Sequence, residues 1–223
     1  MQIKIGKLRQ IIQEELLKEV AVSQSLSGGT GSASGISTRR TRGGQKFDDD
    51  SGASSGNGKI IIFGDSQIGG ELGRALERTY GQRLQGKDHR DGSSDSYWQG
   101  DGWRRVQELV DDSPPSAFLI SLGGNNISNP AGLVDKIRQA YPNSAIHWSG
   151  GPPWEGGRAG QTARERQSRN AQIATAISGK ATFHNPEDHM TADEVAGTAN
   201  PPHLSRALAN RYVERSLGRI RLS

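Results

Sequence analysis

Lys59-Ile60-Ile61-Ile62-Phe63-Gly64-Asp65-Ser66-Gln67-Ile68-Gly69-Gly70 is a continuous apolar run that stops at a glycine and then presents an acid and a hydroxyl. It is followed by Glu71-Leu72-Gly73-Arg74-Ala75-Leu76-Glu77-Arg78, whose apolar residues have helical spacing. The stretch therefore predicts a buried strand, a tight turn carrying Ser66, and a helix. Free backbone N–H groups at a helix start can stabilise negative charge beside a serine oxygen, which suits a nucleophile. Gly-Asp-Ser is also ordinary turn chemistry, so a purely structural turn is the competing reading.

Downstream, the same alternation repeats. A helix is expected around Trp103 to Val110, ended by Pro114-Pro115. A second buried strand follows at Ala117-Phe118-Leu119-Ile120-Ser121-Leu122 and opens into Gly123-Gly124-Asn125-Asn126. A helix near Gly132 to Ala140 leads to a third strand, Ser144 to Trp148, ending at Gly150-Gly151-Pro152-Pro153-Trp154. A long polar helix from about Gln161 to Ser178 precedes a short strand at Ala181-Thr182-Phe183. A last helix runs from Leu204 to about Leu217. Strands alternating with helices predict an α/β fold, a doubly wound parallel sheet between two helical layers, over residues 59–223. In such sheets ligands bind at the carboxyl ends of the strands, where the loops carrying Ser66 and Asn125 emerge.

Gly64-Asp65-Ser66, Gly92 in the next loop, Gly123-Gly124-Asn125 after a central strand and His203 before the last helix occur in the order of four separated blocks. Together they resemble the SGNH (GDSL-type) hydrolase family over essentially all of the region from Lys59 onward. The resemblance implies that Ser66 is the nucleophile, that His203 is its base, and that the Ser66 N–H, the Gly92 N–H and the Asn125 amide are oxyanion donors. Gly100 or Gly102 could take the place of Gly92, and Asn126 that of Asn125. No metal or other cofactor is expected. The implied activity is a serine ester hydrolase that deacylates a carbohydrate or small ester through an acyl-Ser66 intermediate.

Two residues depart from the family pattern. Asn126 replaces the aspartate of Gly-x-Asn-Asp, and the last block is Asn200-x-x-His203 where the family has Asp-x-x-His. An aspartate orients the imidazole and stabilises its charged form. Asn200 can still accept the imidazole N–H through its amide oxygen but cannot neutralise an imidazolium. The site then works as a weaker Ser-His dyad, borrows an acid such as Asp188 or Asp193, or loses its activity. His147, inside a strand, is expected to be a packed core residue. His184, Glu187, Asp188 and His189 lack a recognised ligand spacing and read as a polar loop. Trp98, Trp148 and Trp154 could stack on a sugar ring or cover the core.

The 223 residues include 30 glycines and no cysteine, with a formal charge of +4. Disulfides and thiolate metal sites are thereby excluded. Interspersed charges and 5% aromatic content argue against a dedicated nucleic-acid surface. No apolar run approaches the roughly 20 residues needed to cross a bilayer. Residues 1–20 carry Ile5, Leu8, Ile12 and Leu16 at helical spacing and predict an amphipathic helix, while Glu14, Glu15 and Glu19 exclude a secretory signal. Lys4, Lys7 and Arg9 at its positive dipole end favour a helix held by a partner surface, the alternative being a helix that docks on its own domain. This segment resembles the capsid-targeting peptides of tailed-phage head proteins, with Leu17-Lys18-Glu19 in the place of the Leu-x-Glu cleavage signal. That resemblance implies a capsid or assembly partner, a virion-associated or host-cytoplasmic setting, and an alternative function in which a weakened hydrolase fold serves binding or assembly. Residues 21–58, rich in Ser, Gly and Thr, read as a flexible tether.

Overall fold

The computed structural model describes residues 58–156 and 162–222. The helix expected over 1–20, its cleavage signal, and all of the expected tether except Gly58 lie outside the described residues.

Five parallel strands form one sheet in the order β2-β1-β3-β4-β5: β1 is Ile60–Gly64, β2 Leu84–His89, β3 Ala117–Ser121, β4 Ala145–Ser149 and β5 Thr182–His184. β1 pairs with β3 from Ile60↔Ala117 to Gly64↔Ser121. The apolar run at 60–63 becomes a central strand because side chains alternate across a pleat, so a strand covered on both faces must be apolar at every position. Ile60, Ile62, Ala117 and Leu119 face one helical layer and Ile61, Phe63, Phe118 and Ile120 the other, all fully buried. Each fully buried Ile or Phe side chain contributes on the order of 1.5–3 kcal/mol.

The first layer holds α1 (Ser66–Gly69), α2 (Glu71–Tyr80), α7 (Ala192–Ala196) and α8 (Arg206–Arg215); the second holds α3 (Asp95–Gln99), α4 (Trp103–Glu108), α5 (Pro130–Ala140) and α6 (Ala163–Ala176). This is the expected three-layer α/β arrangement. α6 is polar, and its start is fixed by a reciprocal cap: Thr162 Oγ1 accepts from the Glu165 N–H while Glu165 Oε2 accepts from the Thr162 N–H. α5 begins at Pro130 with Asn129 as its cap.

Strand β2 was not expected. Leu84-Gln85-Gly86-Lys87-Asp88-His89 contains one large apolar residue, because β2 lies at the sheet edge and is half-exposed from Leu84 to Asp88 and exposed at His89. The expected bounds shift elsewhere by a few residues: the last helix runs over Arg206–Arg215 and ends in a 3₁₀ turn at Leu217–Arg219. β1 feeds β2 on one side, while β3 lies on its other side. Loops leaving β1 and β3 therefore diverge and open a crevice between them. Ser66 and Asn125 both leave at that crevice.

Candidate active site

At the end of β1 the chain turns hard. A side chain at Gly64 would place its Cβ 2.2 Å from the Ser121 carbonyl oxygen, so only glycine lets β1 and β3 approach this closely here. Asp65, 2% exposed, caps α1 by accepting from the Gln67 N–H through Oδ1 at 3.0 Å. Ser66 is the first residue of α1 and half-buried. Its hydroxyl makes no hydrogen bond among the described residues.

The loop before α8 brings His203 to the same cleft of about 480 Å³, with Ser66, His89, Asp91, Arg74 and Asn200 also on its walls. His203 Nδ1 lies 3.2 Å from the main-chain carbonyl of Asn200, which also accepts the His203 N–H at 2.9 Å. A carbonyl can only accept, so Nδ1 carries the proton and Nε2 keeps a free lone pair. That is the tautomer a general base needs. The expectation that the Asn200 amide side chain would hold the ring is corrected: the side chain is exposed, and the backbone holds the ring. Asp188 and Asp193 do not substitute, since neither bonds to His203. Asp188 accepts from Asn185 at 3.5 Å, and Asp193 sits exposed in the first turn of α7.

Asn125, on the loop after β3 and not among the residues that line this cleft, donates through Nδ2 to Asp65 Oδ2 and to the Ser93 carbonyl, both at 3.2 Å. Arg169 of α6 braces this loop from behind, donating through Nη1 to the Asn125 carbonyl at 3.0 Å. Gly123 lies against Gly151, where a Cβ would meet the Gly123 carbonyl at 2.7 Å, and Asn170 clamps Gly151 through both its N–H and its carbonyl. Asn126 is exposed. Gly92 adopts a left-handed φ of 70° in an exposed turn. The next residue, Ser93, ties that turn to the end of β1 by donating to the Gly64 carbonyl at 3.2 Å, and it accepts from Trp98 Nε1 at 3.0 Å. None of Gly92, Gly100 and Gly102 lines the cleft, although Asp91 beside Gly92 does; Gly100 and Gly102 flank the start of α4.

Burial pushes the Asp65 carboxyl up to about 7; nearby Asp91 adds to the rise, and the Gln67 N–H and Asn125 amide oppose it. Across the sheet, His147 Nδ1 and His184 Nε2 are 3.0 Å apart, with His184 Nδ1 on Ser216 Oγ at 2.8 Å. Burial lowers His184 to about 4, helped by the neighbouring imidazoles His147 and His189. His184 thus turns into the packed interior, while Glu187 turns toward Asn170. Among the described residues no group of three or more His, Asp or Glu side chains is placed to hold a metal ion.

These two groups act on stability with opposite sign. The His184 imidazole is charged in the unfolded chain below about 6.5 but in the folded chain only below about 4, so stability falls as pH drops through that window. Asp65 is ionised in the unfolded chain above about 3.8 and in the folded chain above about 7, so stability falls as pH rises between those values. Asp65→Asn removes the second effect. In urea titrations from pH 4.5 to 6.5 its stability should fall on acidification more steeply than the wild type's; equal slopes would contradict the assignment.

Trp98 and Trp148 are fully buried, so neither can stack on a sugar ring, and Trp154 lies half-buried with Arg166 over its ring at 5.0 Å. His89, Asp91, Gln67 and Arg169 were not anticipated at the site. The first two precede Gly92 within three residues, a signal that was present in the sequence. Gln67 and Arg169 reach distant backbone carbonyls, which leave no trace in a residue pattern.

No protein-family model matches the sequence, and no curated protein matches it either. Among solved structures, the fold is similar to that of a candidate platelet activating factor from Streptococcus pneumonia, with TM-score 0.54 and 15% identity over 72% of this chain and 83% of that one. A member of the lipolytic protein G-D-S-L family from Veillonella parvula DSM 2008 is matched with TM-score 0.49 and 15% identity, over 73% of this chain and 99% of the other. An acetyl-xylooligosaccharide esterase mutant from Geobacillus Stearmophilus gives TM-score 0.47 and 14% identity, over 74% and 96%. At these identities the likeness is one of fold.

Proposed function

We propose that this chain is a serine ester hydrolase of SGNH type acting on a short acyl ester of a polar alcohol such as a sugar. The observation that carries the proposal is the hydrogen bond between His203 and the Asn200 carbonyl, which leaves Nε2 as a proton acceptor in the cleft that also holds Ser66.

Ser66 Oγ attacks the ester carbonyl and gives its proton to His203 Nε2. Negative charge on the former carbonyl oxygen is met by the Ser66 N–H at the start of α1, the Asn125 amide and the Gly92 N–H. When the tetrahedral intermediate collapses, the C–O bond to the alcohol breaks and the imidazolium proton goes to the leaving oxygen. Water, deprotonated by the same imidazole, then frees the acid from Ser66. Both Asn125 amide hydrogens are engaged at rest, so oxyanion binding exchanges one of those bonds for a stronger, charge-assisted one.

The cleft walls support the substrate class. Apart from Ala199 and Leu204 the described residues on them are glycines and polar or charged side chains, with no apolar channel for a long acyl chain and no Trp, Tyr or Phe ring on which to stack a sugar. Turnover of p-nitrophenyl acetate should therefore exceed that of the octanoate and should vanish in Ser66→Ala. Wild-type turnover no faster than the mutant's would overturn the proposal.

A main-chain carbonyl fixes the tautomer but brings no charge to the imidazolium. A carboxylate three residues before His203 would. Asn200→Asp is expected to raise kcat by about 3–10-fold, roughly 1 kcal/mol of barrier, and to move the acid limb of the kcat profile to higher pH. A lowered kcat would show that the backbone contact depends on the asparagine.

A further inference from the structure

Gln67 stands where the G-D-S-L pattern has leucine, and it is 5% exposed. A buried amide is costly unless its hydrogens find acceptors, and Gln67 Nε2 donates at 3.0 Å to the Pro202 carbonyl, 135 residues away. The two ends of that bond are informative. Gln67 directly follows Ser66, and Pro202 directly precedes His203. Its backbone N–H is fixed independently by Asp65 Oδ1, so the side chain extends from an anchored turn.

The His203 loop has little else to fix it. Residues 199–203 lie between α7 and α8 without regular structure, and their internal bonds, from the His203 N–H and Nδ1 to the Asn200 carbonyl, only shape the turn locally. Among the described residues, Gln67 Nε2 to the Pro202 carbonyl is the one hydrogen bond tying residues 199–203 to any other part of the chain. The imidazole's rotation is set within its own turn, but the turn's distance from the nucleophile is set from outside it.

Resting on the serine-hydrolase reading, we infer that Gln67 is a positioning residue, a strut that sets the separation of Ser66 Oγ and His203 Nε2. It acts through the backbone of the base loop and touches neither the substrate nor the reacting atoms. Its loss lets the loop move relative to α1, which weakens proton transfer from Ser66 while leaving the cleft walls in place. Displacements of about 1 Å in such pairs cost up to about 100-fold.

Gln67→Met keeps the length and volume and removes the donor. It is expected to lower kcat on p-nitrophenyl acetate by about 10–100-fold, with KM within about twofold and thermal unfolding unchanged, and to slow labelling of Ser66 by a fluorophosphonate in proportion to kcat. Gln67→Glu provides the rescue arm and covers the case in which the methionine variant does not fold. Its carboxyl donates to the Pro202 carbonyl only when protonated, so its kcat relative to the wild type should rise as pH falls. A wild-type kcat in Gln67→Met, a pH-independent ratio in Gln67→Glu, or a loss that tracks the unfolded fraction would overturn the strut. If the wild-type chain neither turns over ester nor is labelled, the serine-hydrolase reading fails first and the strut with it.

Discussion

Ser66→Ala and His203→Ala should each lower kcat on p-nitrophenyl acetate by about 10⁴-fold or more, and the double variant should lose no more than either alone. The reason is mechanical. A serine hydroxyl is a poor nucleophile until a base accepts its proton, and in the proposed mechanism that acceptor is His203 Nε2, left free by the Asn200 carbonyl on Nδ1. Remove the oxygen and no acyl-enzyme forms; remove the imidazole and the oxygen stays protonated. Because both act in one step, their losses do not add. Additive losses would mean that the two residues serve different steps, and the double variant's kcat measured beside the singles decides it. The starting rate itself is expected to be modest, since among the described residues no carboxylate bonds to the His203 ring. The wrong-tautomer penalty of an asparagine side chain does not apply, because an acceptor-only carbonyl does the holding.

Asn125→Ala is expected to cost about 10²–10³-fold in kcat, the usual cost of one oxyanion donor, with a smaller change in KM. Asn125 stands at the end of β3 on a loop held by Arg169, by the close Gly123–Gly151 approach and by Asp65. That bracing is the preorganisation which gives a donor its value: the amide need not be ordered at the moment of reaction. Alanine also strips Asp65 of one hydrogen bond while leaving it buried, which should raise its carboxyl further. Steady-state kinetics on the acetate ester check the expectation. A kcat within about threefold of wild type, under 1 kcal/mol of barrier, would remove Asn125 from the oxyanion site.

Much of the fold was legible because its central strands are buried on both faces. Runs such as Ile60–Phe63 and Ala117–Ile120 have few alternatives to being inner parallel strands once helical spacing follows them. The edge strand Leu84–His89 escaped because an edge, half in water, tolerates Gln85, Lys87 and Asp88. At the site, Ser66 and His203 could be picked out by type and order, and the structure brings both to one cleft. What holds them could not. Asn200 acts through its backbone, which is the same in every residue, and Gln67 and Arg169 bond to main-chain carbonyls 135 and 44 positions away. The tryptophans misled in the other direction. Trp98 and Trp148 neighbour active-face loops in sequence, but Trp98 packs on Phe63 and Trp148 donates to the Leu122 carbonyl, so both complete the core below the site.

Activation of Ser66 has a chemical signature of its own. Incubation with a fluorophosphonate followed by peptide mass spectrometry should show the wild-type chain modified at Ser66, with labelling lost in Ser66→Ala and strongly slowed in His203→Ala. A folded wild-type chain that takes up no label, or one labelled equally fast without His203, would contradict it.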